Sequence, residues 1–324
     1  MYLRGYIQCI PMFYGANIKN SDDVVLRKYH SFLLLEKSLS SNTIEAYESD
    51  LQRYLDFVSD NKLDYLKVQY EDLRKFVAAL SDLGISDRSQ ARIISGIKSF
   101  YKFLVYNETI EDDPTELLEM PKIGSYLPQV LSVDEIDSME DCIDMSKKEG
   151  HRNRAIIETL YGSGLRVSEL VNIQLSNIYF DEEYMKVTGK GDKERLVPLS
   201  KESVKQIKDW LIYRNELEIK KGYEDFLFLN RRGAPLTRVM IFTIIKDLAS
   251  KAGIEKNISP HTFRHTFATH LLEGGANLRD IQQLLGHESI LTTEIYTHLN
   301  SDYLRESIMK FHPRNQQENS DEKA

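Results

Sequence analysis

Cysteine is nearly missing from this 324-residue chain, which has only Cys9 and Cys142. They lack C-x-x-C spacing, so neither a disulfide framework nor a cysteine-based zinc site is indicated, and a reducing cytoplasm is the expected compartment. Long hydrophobic runs are missing too: nothing approaches the roughly 18 apolar residues needed to span a bilayer, and no membrane partner is expected. The opening MYLRGYIQCIPMFYGANIK has only Arg4 near its start, scattered aromatics and an internal proline, which makes a poor signal peptide. Residues 1–20 are therefore expected to be a flexible extension, ordered by a partner or not at all, or the product of an upstream start codon. No internal repeat or low-complexity segment stands out.

An excess of basic charge is also wanting. Lys and Arg number 42 against 50 Asp and Glu, a formal net charge of −8. Read globally, that balance argues against nucleic-acid binding. Its distribution argues differently, because acidic residues gather at Asp22–Asp23, Glu108–Asp113, Asp134–Asp144 and Glu318–Glu322. Lys186, Lys190, Lys193 and Arg195 cluster around one hairpin instead, which implies a basic groove inside an acidic shell.

What is present in abundance is helical periodicity. Val24–Glu36, a segment from Ser41 through Val58, Tyr70–Leu83 and Asp87–Asn107 each repeat apolar residues every three or four positions, which predicts a four-helix module over 21–111. Prolines and charges break that period from Asp112 to Pro128, so 112–128 is expected to be a linker. A second domain then runs over 129–313, with helices at Ser132–Asp144, Arg152–Tyr161, Arg166–Ile173, Val204–Lys220, Val239–Ala252, Pro260–Leu272, Leu278–Leu285 and Asp302–Phe311. Tyr184–Thr188 and Arg195–Pro198 read as short strands around a glycine-rich turn. Residues 314–324 are expected to be a disordered tail. The fold class is mainly α, with a small β-hairpin.

The chemistry concentrates in a few motifs. Ser259 and Pro260 look like an N-cap and first helical residue, so His261 enters a first turn and Arg264, three residues on, lies on neighbouring surface. His261 and His265 at i, i+4 suggest zinc, but the glutamate of H-E-x-x-H is missing and no third ligand is near, so His265 reads as a packed residue or one that supports the site residues from behind. The turn Gly162-Ser163-Gly164 leads into Arg166, with Glu169 placed to hold its guanidinium. Lys190 sits in G-K-G-D-K at a hairpin tip, which is not a Walker A loop. His287 follows a helix stop at Gly286, and His287-x8-Tyr296 singles out one tyrosine among 18. Arginines clamp phosphodiesters, lysine and histidine move protons, and a tyrosine hydroxyl attacks phosphorus once nearby cations favour the phenoxide.

Arg166 in G-L-R-V-S-E-L, Lys190, His261-x-x-Arg264, Leu-Gly-His287 and Tyr296 occur here in one order. Together they resemble the tyrosine recombinases of the phage integrase family over roughly residues 22–313, most closely the bacterial XerC/XerD branch and XerD slightly more than XerC. The resemblance implies a two-domain DNA clamp: an N-terminal four-helix SAM-like core-binding domain and a mainly α catalytic domain. It implies strand cutting by Tyr296 through a 3′-phosphotyrosyl link, with Arg166, Lys190, His261, Arg264 and His287 as the other catalytic residues and with no metal or other cofactor. Expected partners are a double-stranded recombination site, a second recombinase protomer (a XerC-type partner in a tetramer on two sites) and a septal DNA translocase. The compact length, the lack of an arm-binding domain and the ending FHPRN resemble proteins that resolve chromosome dimers. The Asp302–Phe311 helix must dock somewhere, either on its own domain or, as the same resemblance implies, in a neighbouring protomer. Alternatives are an integrase or transposase of a mobile element, a type IB topoisomerase, or a catalytically silent DNA-binding accessory protein.

Overall fold

The computed structural model describes residues 20–122, 124, 129–189, 193–286 and 298–316. The chain divides into two compact units, Met1–Tyr126 and Leu127–Ala324. No described helix is long and apolar enough to cross a membrane.

The first unit contains α1 (Asn20–Ser31), which runs into a π-helical turn at Phe32–Glu36, then α2 (Ser41–Asp60), α3 (Tyr70–Asp82) and α4 (Asp87–Tyr106). Each is amphipathic, and the apolar stripe is what is buried: Ile44, Leu51, Tyr54 and Val58 on α2, and Ile93, Ile97, Phe100 and Leu104 on α4. Each such side chain contributes about 1.5–3 kcal/mol on leaving water. The buried tyrosines need partners for their hydroxyls. Tyr54 and Tyr101 bond each other at 2.6 Å, and Tyr101 also donates to the Tyr65 carbonyl at 2.8 Å.

The second unit begins with α5 (Val133–Asp141), whose cap Ser132 and third residue Glu135 bond each other's backbone N–H at 3.1 and 2.7 Å. It continues through α6 (Lys148–Ser163), α7 (Val167–Val171), a 3-10 turn at Leu175–Asn177, and the strands β1 (Ile178–Tyr179), β2 (Tyr184–Thr188) and β3 (Glu194–Pro198). After the sheet come α8 (Lys201–Arg214), α9 (Arg238–Lys251), α10 (Pro260–Glu273), α11 (Leu278–Leu285), α12 (His298–Phe311) and α13 (Pro313–Gln316). The sheet is antiparallel in the order β1-β2-β3, and β2 and β3 pair from Tyr184↔Pro198 to Thr188↔Glu194. The architecture is mainly α with one small sheet. A large core forms around α6, with Ile156, Leu160, Leu170, Met185, Ile207 and Phe263 buried. A smaller one joins Phe267 and Leu271 of α10, Ile281 and Leu284 of α11, and Leu304 and Ile308 of α12.

Several expectations change. The two-residue β1 is too short to show a period. Helix α8 stops at Arg214 and not at Lys220, and the Arg214 side chain turns inward to donate to the Glu224 and Phe226 carbonyls at 2.5–3.0 Å. Helix α12 docks on its own unit: Leu304 is 5% and Ile308 1% exposed against α10 and α11. Of the two dockings expected for it, the single chain has the one on its own unit, with the apolar face covered by α10 and α11. The tail expectation also moves. Arg314 and Asn315 fall inside the segment expected to be disordered, yet Asn315 is buried and Arg314 meets the carboxylates of Asp137, Glu140 and Glu158. Residues 1–19 of the N-terminal extension, 123 and 125–128 of the linker, and 317–324 lie outside the described residues.

Candidate functional site

The geometry of the site starts from Gly164. It ends α6 in the left-handed region at φ 58°, and a Cβ there would stand 2.4 Å from the Phe267 ring, so both conformation and space demand glycine. That turn does two things. It aims the Gly164 carbonyl at α10, and two residues later it sets Arg166 as the N-cap of α7.

Arg166 is held by Glu169. Its backbone N–H donates to one carboxylate oxygen at 2.8 Å and its guanidinium to the other at 2.9 Å. The guanidinium also reaches the Gly286 carbonyl at 3.3 Å and remains one-third exposed, so part of its donor fork faces solvent. Arg264 sits deeper. It donates to the Gly164 carbonyl at 2.8 Å and to the Leu285 carbonyl, and burial followed by the repulsion of Arg166 pulls it down to about 10. It still carries a full positive charge at neutral pH.

Ser259 caps α10, accepting from the Thr262 N–H at 3.4 Å, and Pro260 takes the first position. The buried face of this helix carries Thr262, Phe263, Arg264, Thr266, Phe267 and Leu271. His261, in the first turn, is exposed. The two motif residues of α10 thus meet different surroundings, because the arginine turns inward to satisfy two carbonyls. His265 is exposed as well, which corrects the packed one of the two readings given for it.

Helix α11 closes the site. Asn277 caps its start, and Gly286 ends it at φ 62°. The last carbonyls of a helix have no intrahelical donor and carry partial negative charge. Here three of them in succession receive arginines: Leu284 from Arg195 at 3.4 Å, Leu285 from Arg264, and Gly286 from Arg166 at 3.3 Å. The next residue in the chain is His287. Lys190, His287 and Tyr296 themselves lie outside the described residues.

Arg195 is the residue beside this site that reasoning from sequence misplaced. It belonged there to a basic patch, whereas it is 9% exposed and forks onto Glu169 at 2.7 and 2.9 Å. A signal did exist. Alternation along β3 puts Arg195 on the same face as Val197, which is 1% exposed. Glu169 consequently faces two ion-paired arginines. Burial raises its pKa, but the bonds from Arg195 and then Arg166 outweigh burial and hold it below the usual carboxylate range. Three guanidinium groups around one carboxylate leave net positive charge, and an anion is what this arrangement can bind.

Residues 129–302 match the phage integrase family and residues 26–108 match the phage integrase N-terminal SAM-like domain. Tyrosine recombinase XerD of Staphylococcus aureus is 40% identical over 293 residues, covering 90% of this chain and 99% of that protein. The XerD of Staphylococcus saprophyticus is 41% identical over the same length and coverage. Among solved structures, XerH site-specific recombinase in a post-cleavage complex with its palindromic difH substrate shares the fold, with a TM-score of 0.67 at 23% identity over 88% of this chain and 83% of that one.

Proposed function

The chain belongs to the phage integrase family as a XerD-like tyrosine site-specific DNA recombinase, and from that premise we propose that it cuts and rejoins strands through a 3′-phosphotyrosyl intermediate to resolve chromosome dimers. Tyr296 attacks the scissile phosphorus, its proton passing to His261. The bond from phosphorus to the 5′ oxygen breaks, and Lys190 protonates the departing oxygen. Arg166, Arg264 and His287 stabilise the charge that builds on the phosphate. A 5′-hydroxyl from a partner strand then reverses the step. The bond energy stays in the phosphotyrosine, so the exchange consumes no nucleotide.

One observation carries this reading: Arg166 and Arg264 bond the consecutive carbonyls of Gly286 and Leu285, immediately before His287 in the chain. Three of the six residues expected at the reacting phosphate are thereby tied to one short stretch of backbone. XerH, which shares the fold, is bound to a palindromic substrate. We extend that to this chain as a duplex site engaged by more than one protomer, the second of XerC type, with a septal translocase as activator and the cytoplasm as the setting.

A DNA duplex nicked beside the scissile phosphate tests the chemistry. The wild-type chain should form a denaturant-stable protein–DNA adduct, and Tyr296→Phe should form none while binding DNA almost unchanged. An adduct that persists in Tyr296→Phe assigns the nucleophile elsewhere. The biological role is tested by mapping DNA covalently held in cells, where a single chromosomal locus supports dimer resolution and the ends of a mobile element contradict it.

A further inference from the structure

We propose that Arg195 is a positioning residue of the recombination reaction, fixing Glu169 and the end of α11 relative to one another so that Arg166 is held in its aim at the phosphate. The proposal rests on the functional reading above. Arg195 leaves β3 on its inward face and makes a side-by-side fork, Nη1 to Oε1 of Glu169 at 2.7 Å and Nη2 to Oε2 at 2.9 Å. Its Nε points the other way, to the Leu284 carbonyl at 3.4 Å. One planar group therefore touches the carboxylate that holds Arg166 and the helix end that precedes His287.

The surroundings leave this group little freedom. A Cβ at Gly286 would stand 3.1 Å from Cδ of Arg195, and one at Gly189 would stand 3.5 Å from both its Nη1 and Oε1 of Glu169. The first distance is tighter than ordinary contact and the second is ordinary contact, so Gly286 is the residue that gives the guanidinium room beside the end of α11. Stability alone is a poor reason for such a pair, since a buried arginine–glutamate bridge is on average no better than apolar residues of equal volume. Sharing is the better reason. Oε1 of Glu169 accepts from Arg195 and, at 2.9 Å, from Arg166. Without Arg195 the carboxylate is free to recentre on Arg166 and carry it away from the phosphate. A lysine cannot replace the fork, because it offers a point charge and no second coplanar donor.

The charged groups facing Glu169 among the described residues are Arg166 on α7, Arg195 on β3 and Arg264 on α10. Burial is the largest influence on Glu169 and the bonds from Arg195 the largest opposing one. Removing Arg195 leaves burial less opposed and raises the carboxyl.

The test uses the full chain, the nicked duplex and four variants, Arg195→Met, Arg195→Lys, Glu169→Gln and the Arg195→Met/Glu169→Gln double. Arg195→Met should slow adduct formation roughly 10- to 100-fold, with affinity for one site within about twofold of wild type. Arg195→Lys should recover only part of the rate. The acid limb of the pH–rate profile should move to higher pH in Arg195→Met, as a carboxylate needed in its ionised form becomes harder to ionise. The Arg195→Met/Glu169→Gln pair should be no slower than the slower single variant, because both remove one linkage. Full-rate cleavage by a folded Arg195→Met or Arg195→Lys overturns the proposal. So does an unmoved pH profile, which would leave Arg195 a packing group only. A wild-type chain that forms no adduct overturns the functional reading together with the proposal, whereas a wild-type adduct with insensitive variants overturns the proposal alone.

Discussion

The Nε of Arg314 lies 2.8 Å from a carboxylate oxygen of Glu158, one side chain 9% and the other 1% exposed. The contact has the length of a hydrogen bond without its alignment, so it acts as an ion pair. The same guanidinium meets Asp137 at 2.5 Å and Glu140 at 3.5 Å. Nearby carboxylates hold it above the usual arginine range despite burial. The segment after α12 is thereby fastened to α5 and α6, with buried His312 wedged between the rings of Tyr161 at 4.6 Å and Phe267 at 5.5 Å.

Removing the cation should therefore matter more than a tail residue suggests. Arg314→Met is expected to destabilise the C-terminal unit by about 1–3 kcal/mol at neutral pH, because it removes the buried guanidinium that bonds Asp137 and lies against Glu140 and Glu158. Urea unfolding measures the loss. A change below about 0.5 kcal/mol would place Arg314 among ordinary surface residues.

The same cluster sets a pH dependence. Burial, then the charge of Glu158, pushes Glu140 up to about 9, and burial raises Glu158 in the same direction. A carboxyl with a raised folded pKa gives its full stability below the unfolded value of about 4.3 and loses it as pH climbs through the folded value. His312 works oppositely, since burial pulls it down to about 3. Its contribution is present above about pH 6.5 and is lost as pH falls towards the folded value. From about pH 6.5 upward the glutamates act without that opposition, so stability should decline across about pH 7 to 9. Glu140→Gln should flatten the decline. Denaturation series at constant ionic strength read both slopes, and equal slopes would refute the assignment.

Ile308 is 1% exposed in the small core that joins α10, α11 and α12. Ile308→Ala should cost about 2–5 kcal/mol through lost burial and the cavity left behind. Adduct formation should fall with it at temperatures near the melting transition, as Phe267 in that core is three residues from Arg264. A surface-like cost in thermal unfolding would mean that α12 is not part of this core.

Lys190→Ala is expected to slow strand cleavage far more than it weakens binding, since its proposed work is protonation of the leaving 5′ oxygen. A substrate with sulfur in the bridging 5′ position leaves without a proton and should restore the rate. Failure of that rescue would return Lys190 to the role of a phosphate contact.

Local pattern alone determined where most helices lie. The apolar stripe of α4, the Ser259-Pro260 start of α10 and the Gly286 stop of α11 are short-range features, and backbone sterics act on them wherever the chain goes next. Chain order also marked Arg166, Lys190, His261, Arg264, His287 and Tyr296 as one set. Only the tertiary structure decided which charged residues turn inward. Arg264 finds the Gly164 carbonyl across 100 residues, Arg195 finds Glu169 across 26, and Arg314 reaches Asp137 across 177. A guanidinium is buried only where distant acceptors offset its lost hydration, and no local pattern encodes them. The docking of α12 followed the same rule: its apolar face was legible, but its partners on α10 and α11 existed only once the chain had folded.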